Sequence, residues 1–413
     1  MHWTHENDCS YAVFMTITGQ ALWEGHTKGS PAYRRILGAL ALAGVATFAQ
    51  LYSPQGILPL VARDLSVTAA QAALSISVAT LGLAAAVLPW SFAADRMGRV
   101  RAMATAVIAA TVLGLLVPLA PDFGTLLVLR GLEGAALGGI PALAVAYLNE
   151  EVHRSHAVLA AGTYVAGTTI GGLSGRLIAG PVAQLAGWRA GTLAVSLCAA
   201  AAAAGFLLLT PRQLRFTPSA LRPRAAFALL GLQLRRPVLL ALYGQAFLLM
   251  GGFVAVYNYL GFRLEARPYL LPTSLVSLMF IAYLAGTVSS RRAAQLTARF
   301  GRRAVLLGGH ATMAAGLLIT LAGPLPLVLA GLVVLTAGFF AAHSIASGWT
   351  GAAADTGKAQ AASLYNLAYY SGSSLLGWAA GFAFQAFGWT ALALSVLGLT
   401  VLAALTARAV LPR

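Results

Sequence analysis

Charge is scarce in this sequence. Only 9% of its 413 residues are Asp, Glu, Lys or Arg, 11 of them are acidic, and lysine is confined to Lys28 and Lys358. A soluble domain carries roughly 25% charged residues to cover its surface, so a water-soluble globular protein is excluded. Cysteine is nearly missing as well: Cys9 and Cys198 make neither a disulfide framework nor a metal site. No Gly-x4-Gly-Lys-Ser/Thr stretch occurs, which excludes an ATP-driven pump within this chain. The apolar runs lack period-2 alternation, which excludes barrel strands. The short apolar patch at 11–18 lacks the positive flank and small-residue cleavage site of a signal peptide. Residues 1–35 are therefore expected to be a disordered cytoplasmic tail, with an over-extended start at residues 1–30 as the secondary alternative.

What remains is apolar: hydrophobic residues make up 59% of the chain, in long uninterrupted runs. Lipid admits only helices and closed barrels, so the expected class is an all-α membrane protein. Twelve spans are expected, at 36–60, 71–93, 102–120, 124–148, 158–186, 188–210, 238–260, 272–290, 304–322, 326–348, 360–386 and 389–411. Each is near the ~20 residues a bilayer requires. The longest connection, a cytoplasmic central loop at 211–237, separates a six-helix bundle at 36–210 from a second at 238–411.

The net charge of +16 does not imply nucleic acid, because the basic residues fall in loops on one membrane face. That face collects 21 of the 27 Lys and Arg, and the other has only Arg63, Arg189, Arg263 and Arg267. The excess of positive charge marks the cytoplasmic side, which places both termini and the central loop there. The remaining two, Arg130 and Arg176, lie inside spans.

The halves repeat. Tyr164, Gly171, Gly180, Gln184 and Gly187-Trp188 recur as Tyr365, Gly372, Gly381, Gln385 and Gly388-Trp389, at a constant offset of 201. The charged loop Ala94-Asp95-Arg96-Met97-Gly98-Arg99-Val100-Arg101 recurs as Ala298-Arg299-Phe300-Gly301-Arg302-Arg303, at an offset of 203. A parallel repeat of six-helix units is one of the known transporter plans.

Three motifs carry chemistry. In the first charged loop, Asp95 at a helix end can pair with an arginine and Gly98 can supply a positive φ. In span four, Arg130 and Glu133 are i,i+3 neighbours on one helix face, and Glu133 is the one acid well inside a span. Ionisable residues there are costly and functional by default. Glu133 either neutralises Arg130 permanently or exchanges protons, since desolvation and the adjacent guanidinium act on its proton in opposite senses. Span five carries closely spaced glycines, Gly167, Gly171 and Gly172, which let helices approach, and holds the second buried cation, Arg176.

These motifs resemble those of the major facilitator superfamily. Ala94, Asp95, Arg96, Gly98 and Arg99 match its signature loop between helices two and three, with Ser91 and Ala93 departing from the pattern. Arg130 resembles the buried arginine of proton-coupled members, with Glu133 in place of a glutamine. The span-five glycines resemble the antiporter motif, with Thr168 where that motif has proline. Gly286-Thr287, Ala341-Ala342-His343-Ser344 and Tyr369-Tyr370 resemble permeases of the arabinose-efflux or drug-efflux type. The resemblance implies a bacterial inner-membrane transporter, monomeric, with no cofactor and no enzymatic activity. It further implies a cytoplasmic latch at Asp95, Arg96, Gly98 and Arg99.

The expected function is proton-coupled efflux of a sugar such as arabinose, or of a toxic compound, by alternating access. Glu133 would carry the proton with Arg130 and Arg176 tuning it. Gln50, Gln55, Tyr164, Asn258, His343, Tyr365 and Tyr369 would contact the substrate. Two buried arginines against one acid favour a polar or anionic substrate over a cation, and import of such a metabolite is the alternative. Gly172-Leu173-Ser174-Gly175 also fits an intramembrane serine protease with His343 as base, and a sensor on a transporter fold is a further class. The duplication argues against the protease.

Overall fold

The computed structural model describes residues 25–214, 228 and 230–412. Most of the expected tail and of the central loop lies outside the described residues. Among those described there is no strand, only one isolated bridge between His26 and Val152.

The helices follow local rules. α1 (Pro31–Tyr52) starts inside the stretch expected to be tail, because Ser30 caps it by accepting from Tyr33 N and proline occupies its first position. A 3-10 turn, Ser53–Gly56, leads into the short α2 (Leu58–Asp64). α3 (Ala69–Met97) opens on a capping box of Thr68 and Gln71. α4 (Arg99–Leu116) follows after Gly98 alone, at φ +94°, so the first charged loop is a single-residue corner. α5 (Phe123–Leu137) is capped by Asp122, and Pro141 restarts the chain as α6 (Pro141–Glu151). Expected span four is therefore two helices.

α7 (Ala157–Leu209) and α13 (Lys358–Val410) each run more than fifty residues and break once inside. The breaks fall at Gly187 (φ +84°) and Gly388 (φ +73°), a backbone region that side chains disfavour. The tryptophan after each glycine is buried and tied down: Trp188 Nε1 donates to Asp64 Oδ2 at 2.7 Å, and Trp389 Nε1 to the Thr320 carbonyl at 3.2 Å. A guanidinium covers each indole, Arg189 at 4.5 Å and Arg263 at 5.1 Å. The repeated Gly-Trp pair is thus a repeated corner.

Between these lie α8 (Pro237–Glu265), α9 (Thr273–Ser277), a 3-10 turn at Leu278–Ala282, α10 (Tyr283–Phe300), α11 (Arg302–Ile319) and α12 (Leu325–Ala353). α10 passes the expected end of span eight, since nothing breaks it before Gly301 at φ +79°. Among the described residues nine helical stretches, the two broken ones included, are long and apolar enough to cross a membrane. Large apolar side chains such as Leu185 (87% exposed) and Phe387 (80%) point outward, as lipid-facing positions should.

α1 packs on α7 through a stripe of four-residue period: Gly167, Gly171 and Gly175 lie on the backbone of Ala41, Val45 and Ala49, where any Cβ would collide. α8 and α13 meet in the same way at Gly372, against Phe247. Gly172 is off the stripe. Gly171→Leu should destabilise the protein by roughly 1–3 kcal/mol through overpacking, read as a lowered Tm in detergent. Gly162, whose added methyl meets nothing within 4 Å, is the control: Gly162→Ala should leave Tm unchanged or slightly raised, and equal effects of both changes would refute the packing assignment.

Candidate functional site

The first polar cluster forms where α1 ends. Pro54 has no N–H, so the Gln50 carbonyl loses its helical donor. The Ser53 hydroxyl (3.3 Å) and Arg130 on α5 donate to it instead, Arg130 with Nη1 3.2 Å from that carbonyl, Nη2 2.6 Å from the Leu51 carbonyl and Nε 3.1 Å from the Ser75 carbonyl of α3. Its remaining charge meets Glu133, Nη1 to Oε2 at 2.5 Å, and both residues are 1% exposed. Gln50 belongs here rather than with the aromatic groups. Its Nε2 donates to the Ala46 carbonyl, its Oε1 has no partner, and that oxygen lies beside Glu133 Oε1 over Gly114.

The second cluster surrounds Arg176 on α7, 3% exposed. Its Nε donates to Gln55 Oε1 at 2.9 Å, and Gln55 Nε2 donates to Asn258 Oδ1 at 2.7 Å. Its Nη1 donates to the Gly172 carbonyl at 2.5 Å, which is what Gly172 does instead of packing. Three rings enclose the guanidinium at 4.8–4.9 Å: Tyr52, Phe280 and Tyr283. Among the described residues no carboxylate is within ion-pair reach of Arg176. The structure therefore separates Arg176 from the Arg130–Glu133 pair and joins it to Gln55 and Asn258.

The third cluster is aromatic. Tyr365 OH lies 3.0 Å from His343 Nδ1, Tyr369 packs on His343 at 4.9 Å between centroids, and Phe339 stacks on its other side at 5.7 Å. Tyr370 stands edge-on to Tyr369 at 5.2 Å between centroids. Among the described residues the buried Tyr164 hydroxyl has no hydrogen-bond partner. Tyr52 and Phe280 are not legible as site residues in the sequence. The one pointer to Tyr52 is the Ser-Pro break that follows it.

Residues before 210 reach residues after 237 through polar links on one side only. Among the described residues these include Gln55–Asn258, Arg176–Tyr283 (3.4 Å), Thr80–Ser374 (2.7 Å), Gln184–Ser274 N (2.9 Å), Thr68–Gln385 (2.7 Å) and the ion pair Arg63–Glu265 (2.9 Å). All lie at mid-depth or toward the charge-poor face. On the face of the charged loops, among the described residues, no hydrogen bond or ion pair crosses. The latch residues close on their own half: Asp95 Oδ1 meets Arg99 Nη1 at 2.5 Å, Arg99 Nε meets Glu150 Oε1 at 3.1 Å, and Gln213 bonds both Arg99 N and Glu150. Arg96 is exposed beside the Gly98 corner. Glu150 and Gln213 are partners that the sequence did not reveal. No group of three or more His, Cys, Asp or Glu among the described residues is placed to hold a metal ion.

Residues 40–296 match the profile of the family described as Major Facilitator Superfamily. The chain is 39% identical over 378 residues to the inner membrane transport protein YnfM of Escherichia coli (strain K12), covering 92% of this chain and 91% of that one. It is 36% identical over 363 residues to the uncharacterized MFS-type transporter YybF of Bacillus subtilis (strain 168), covering 88% and 90%. In fold it is similar to a bacterial homolog of the human lysosomal transporter Spinster, solved inward-facing and unoccupied, with a TM-score of 0.74 at 18% identity over 93% of this chain and 98% of that one.

Removing one partner of a buried ion pair strands the other charge, at roughly 3–5 kcal/mol. Glu133→Ala should lower Tm in detergent by more than Glu133→Gln, whose amide oxygen still accepts from Arg130. Wild-type stability in Glu133→Ala would show that the pair is not what holds Arg130.

Proposed function

The chain belongs to the major facilitator superfamily, a multi-pass inner-membrane transporter and not an enzyme, and we propose that it exports a small molecule in exchange for protons. The reading takes two six-helix halves, 36–210 and 238–411, that rock about a site at mid-depth. Twelve crossings fit the helices if α7 and α13 each fold back at their glycine and α11 also spans. Both termini then lie in the cytoplasm.

The observation that carries the reading is the unequal treatment of two buried arginines. Arg130 is held by three carbonyls as well as by Glu133. Glu133 can therefore gain or lose a proton without releasing the arginine, which suits exchange better than permanent neutralisation. Arg176 has amide, carbonyl and ring contacts but, among the described residues, no counter-ion, and it stands at the seam between the halves, beside Tyr283. An unpaired charge away from water is costly, and a substrate bearing negative charge would offset it. Of the substrates considered, a toxic organic compound with an anionic group fits better than a neutral sugar. Gln55, Asn258, His343, Tyr365 and Tyr369 offer hydrogen bonds and ring faces around it. Export as the direction rests on the antiporter-like glycines of α7.

The test uses proteoliposomes under an imposed pH gradient, with a panel of aromatic and aliphatic carboxylates, neutral sugars and organic cations. Gradient-driven movement of a carboxylate is expected in the wild type. Glu133→Gln should abolish that coupling while leaving substrate exchange without a gradient, and Arg176→Gln should abolish both. Gradient-driven flux that survives Glu133→Gln would remove the proton role. Flux confined to sugars or cations would remove the charge argument.

A further inference from the structure

On the flank of the second half, α10, α11 and α12 enclose a cleft of about 480 Å³ whose lining is mostly apolar, with Arg292, Ser289 and Thr312 as its polar members and Ala293, Leu296 and Gly309 along its walls. The repeat explains why it is there. At the 203-residue offset of the charged loops, Ala293 corresponds to Trp90 and Gly309 to Ala106. In the first half the Trp90 indole fills the corresponding space: a Cβ on Gly139 would stand 2.6 Å from its ring and 2.7 Å from Ala106 Cβ, and Nε1 donates to the Ala135 carbonyl at 2.9 Å. The second half keeps the helices and omits the indole, so its walls lack packing partners. Interiors are otherwise close-packed, and an unfilled void forfeits dispersion contacts.

The rim differs between the halves in the same way. Arg99 of the first half is answered by Asp95 and Glu150. The second stretch has Arg291, Arg292, Arg299, Arg302 and Arg303, with Ala298 where Asp95 stands and no acid from 283 to 319. None of these five arginines takes part in an ion pair among the described residues. An apolar gap with room for more than an indole thus lies beside Arg292, in a stretch whose arginines have no ion-pair partner among the described residues.

We propose that this cleft binds an anionic phospholipid, one acyl chain lying where the first half places Trp90 and the headgroup phosphate meeting Arg292. Basic pockets between helices on the cytoplasmic side suit acidic headgroups, and the arginine fork matches phosphate geometry. The inference rests on the orientation of the charged loops and on no particular substrate or coupling ion.

Native mass spectrometry of the full chain in detergent, titrated with palmitoyl-oleoyl phosphatidylglycerol or phosphatidylethanolamine, tests it. One phosphatidylglycerol molecule should bind more tightly than any phosphatidylethanolamine. Ala293→Trp, which copies the first half, should remove that adduct while the protein remains folded. Arg292→Gln should weaken phosphatidylglycerol by about fivefold and leave phosphatidylethanolamine unchanged. Equal binding of the two lipids to wild type, an undiminished adduct in a folded Ala293→Trp protein, or an intact preference in Arg292→Gln would each overturn the proposal. The arginine variant decides should the tryptophan variant fail to fold.

Discussion

A carbonyl freed inside a membrane has no water to turn to, and the end of α1 frees one at Gln50 because Pro54 cannot donate. The guanidinium of Arg130 meets that demand and, with the Leu51 and Ser75 carbonyls, ties α1, α3 and α5 together at mid-depth. Much else depends on this. Glu133, one turn on, answers the charge that this guanidinium brings with it. Gly114 is bare because the carboxylate and the Gln50 amide occupy the space beside it. The chemistry read as coupling is therefore built on a backbone defect.

How far the sequence revealed this depends on range. The corners were legible because they are local: a glycine with positive φ and a tryptophan behind it repeat at one offset, and the chain turns at both copies. The Arg130–Glu133 pair was legible because i,i+3 positions share a helix face. The glycine stripe was half legible. Gly167 and Gly171 share a four-residue period with Gly175, and that same period would have assigned Gly172 to another face. What distance in the chain hid were the partners. Glu150 and Gln213 answer Arg99 from other segments, and the rings around Arg176 come from three helical segments with no common spacing. Grouping Arg176 with Glu133 followed from composition alone, whereas the geometry gives each its own cluster.

The duplication conserved shape and let charge diverge. Both halves keep the Gly-Trp corner, the arginine over the indole and glycine contacts between their long helices. Among the described residues, only the first has an acid in its charged loop and an ion pair in its core. The second fills the comparable volume with packed rings, Phe253 on Phe339 at 3.9 Å and Phe339 on His343. Packing surfaces must be preserved together or the helices cannot approach, but a buried charge persists only where something uses it or answers it. An asymmetric pair of halves is what remains when one of them alone takes up that cost.

The seam between the halves is the place where such a molecule must be weak. Its outer ion pair has Arg63 at 61% exposure, so solvent screening limits it to about 1 kcal/mol or less. The other links are mostly neutral hydrogen bonds, each of modest net value because water can replace them once the face opens. Close contacts such as Gly180 on Ser277 and Gly381 on Ala70 make the closed face tight without making it apolar or permanent. Arg176 is the exception, since its ring cage draws on both halves and an open face would let water reach an arginine now held by Gln55 and Tyr283. A negatively charged ligand at that point would change the balance between closed and open faces more than any other single contact in the seam. Substrate binding and the rocking of the halves would then be coupled through one side chain.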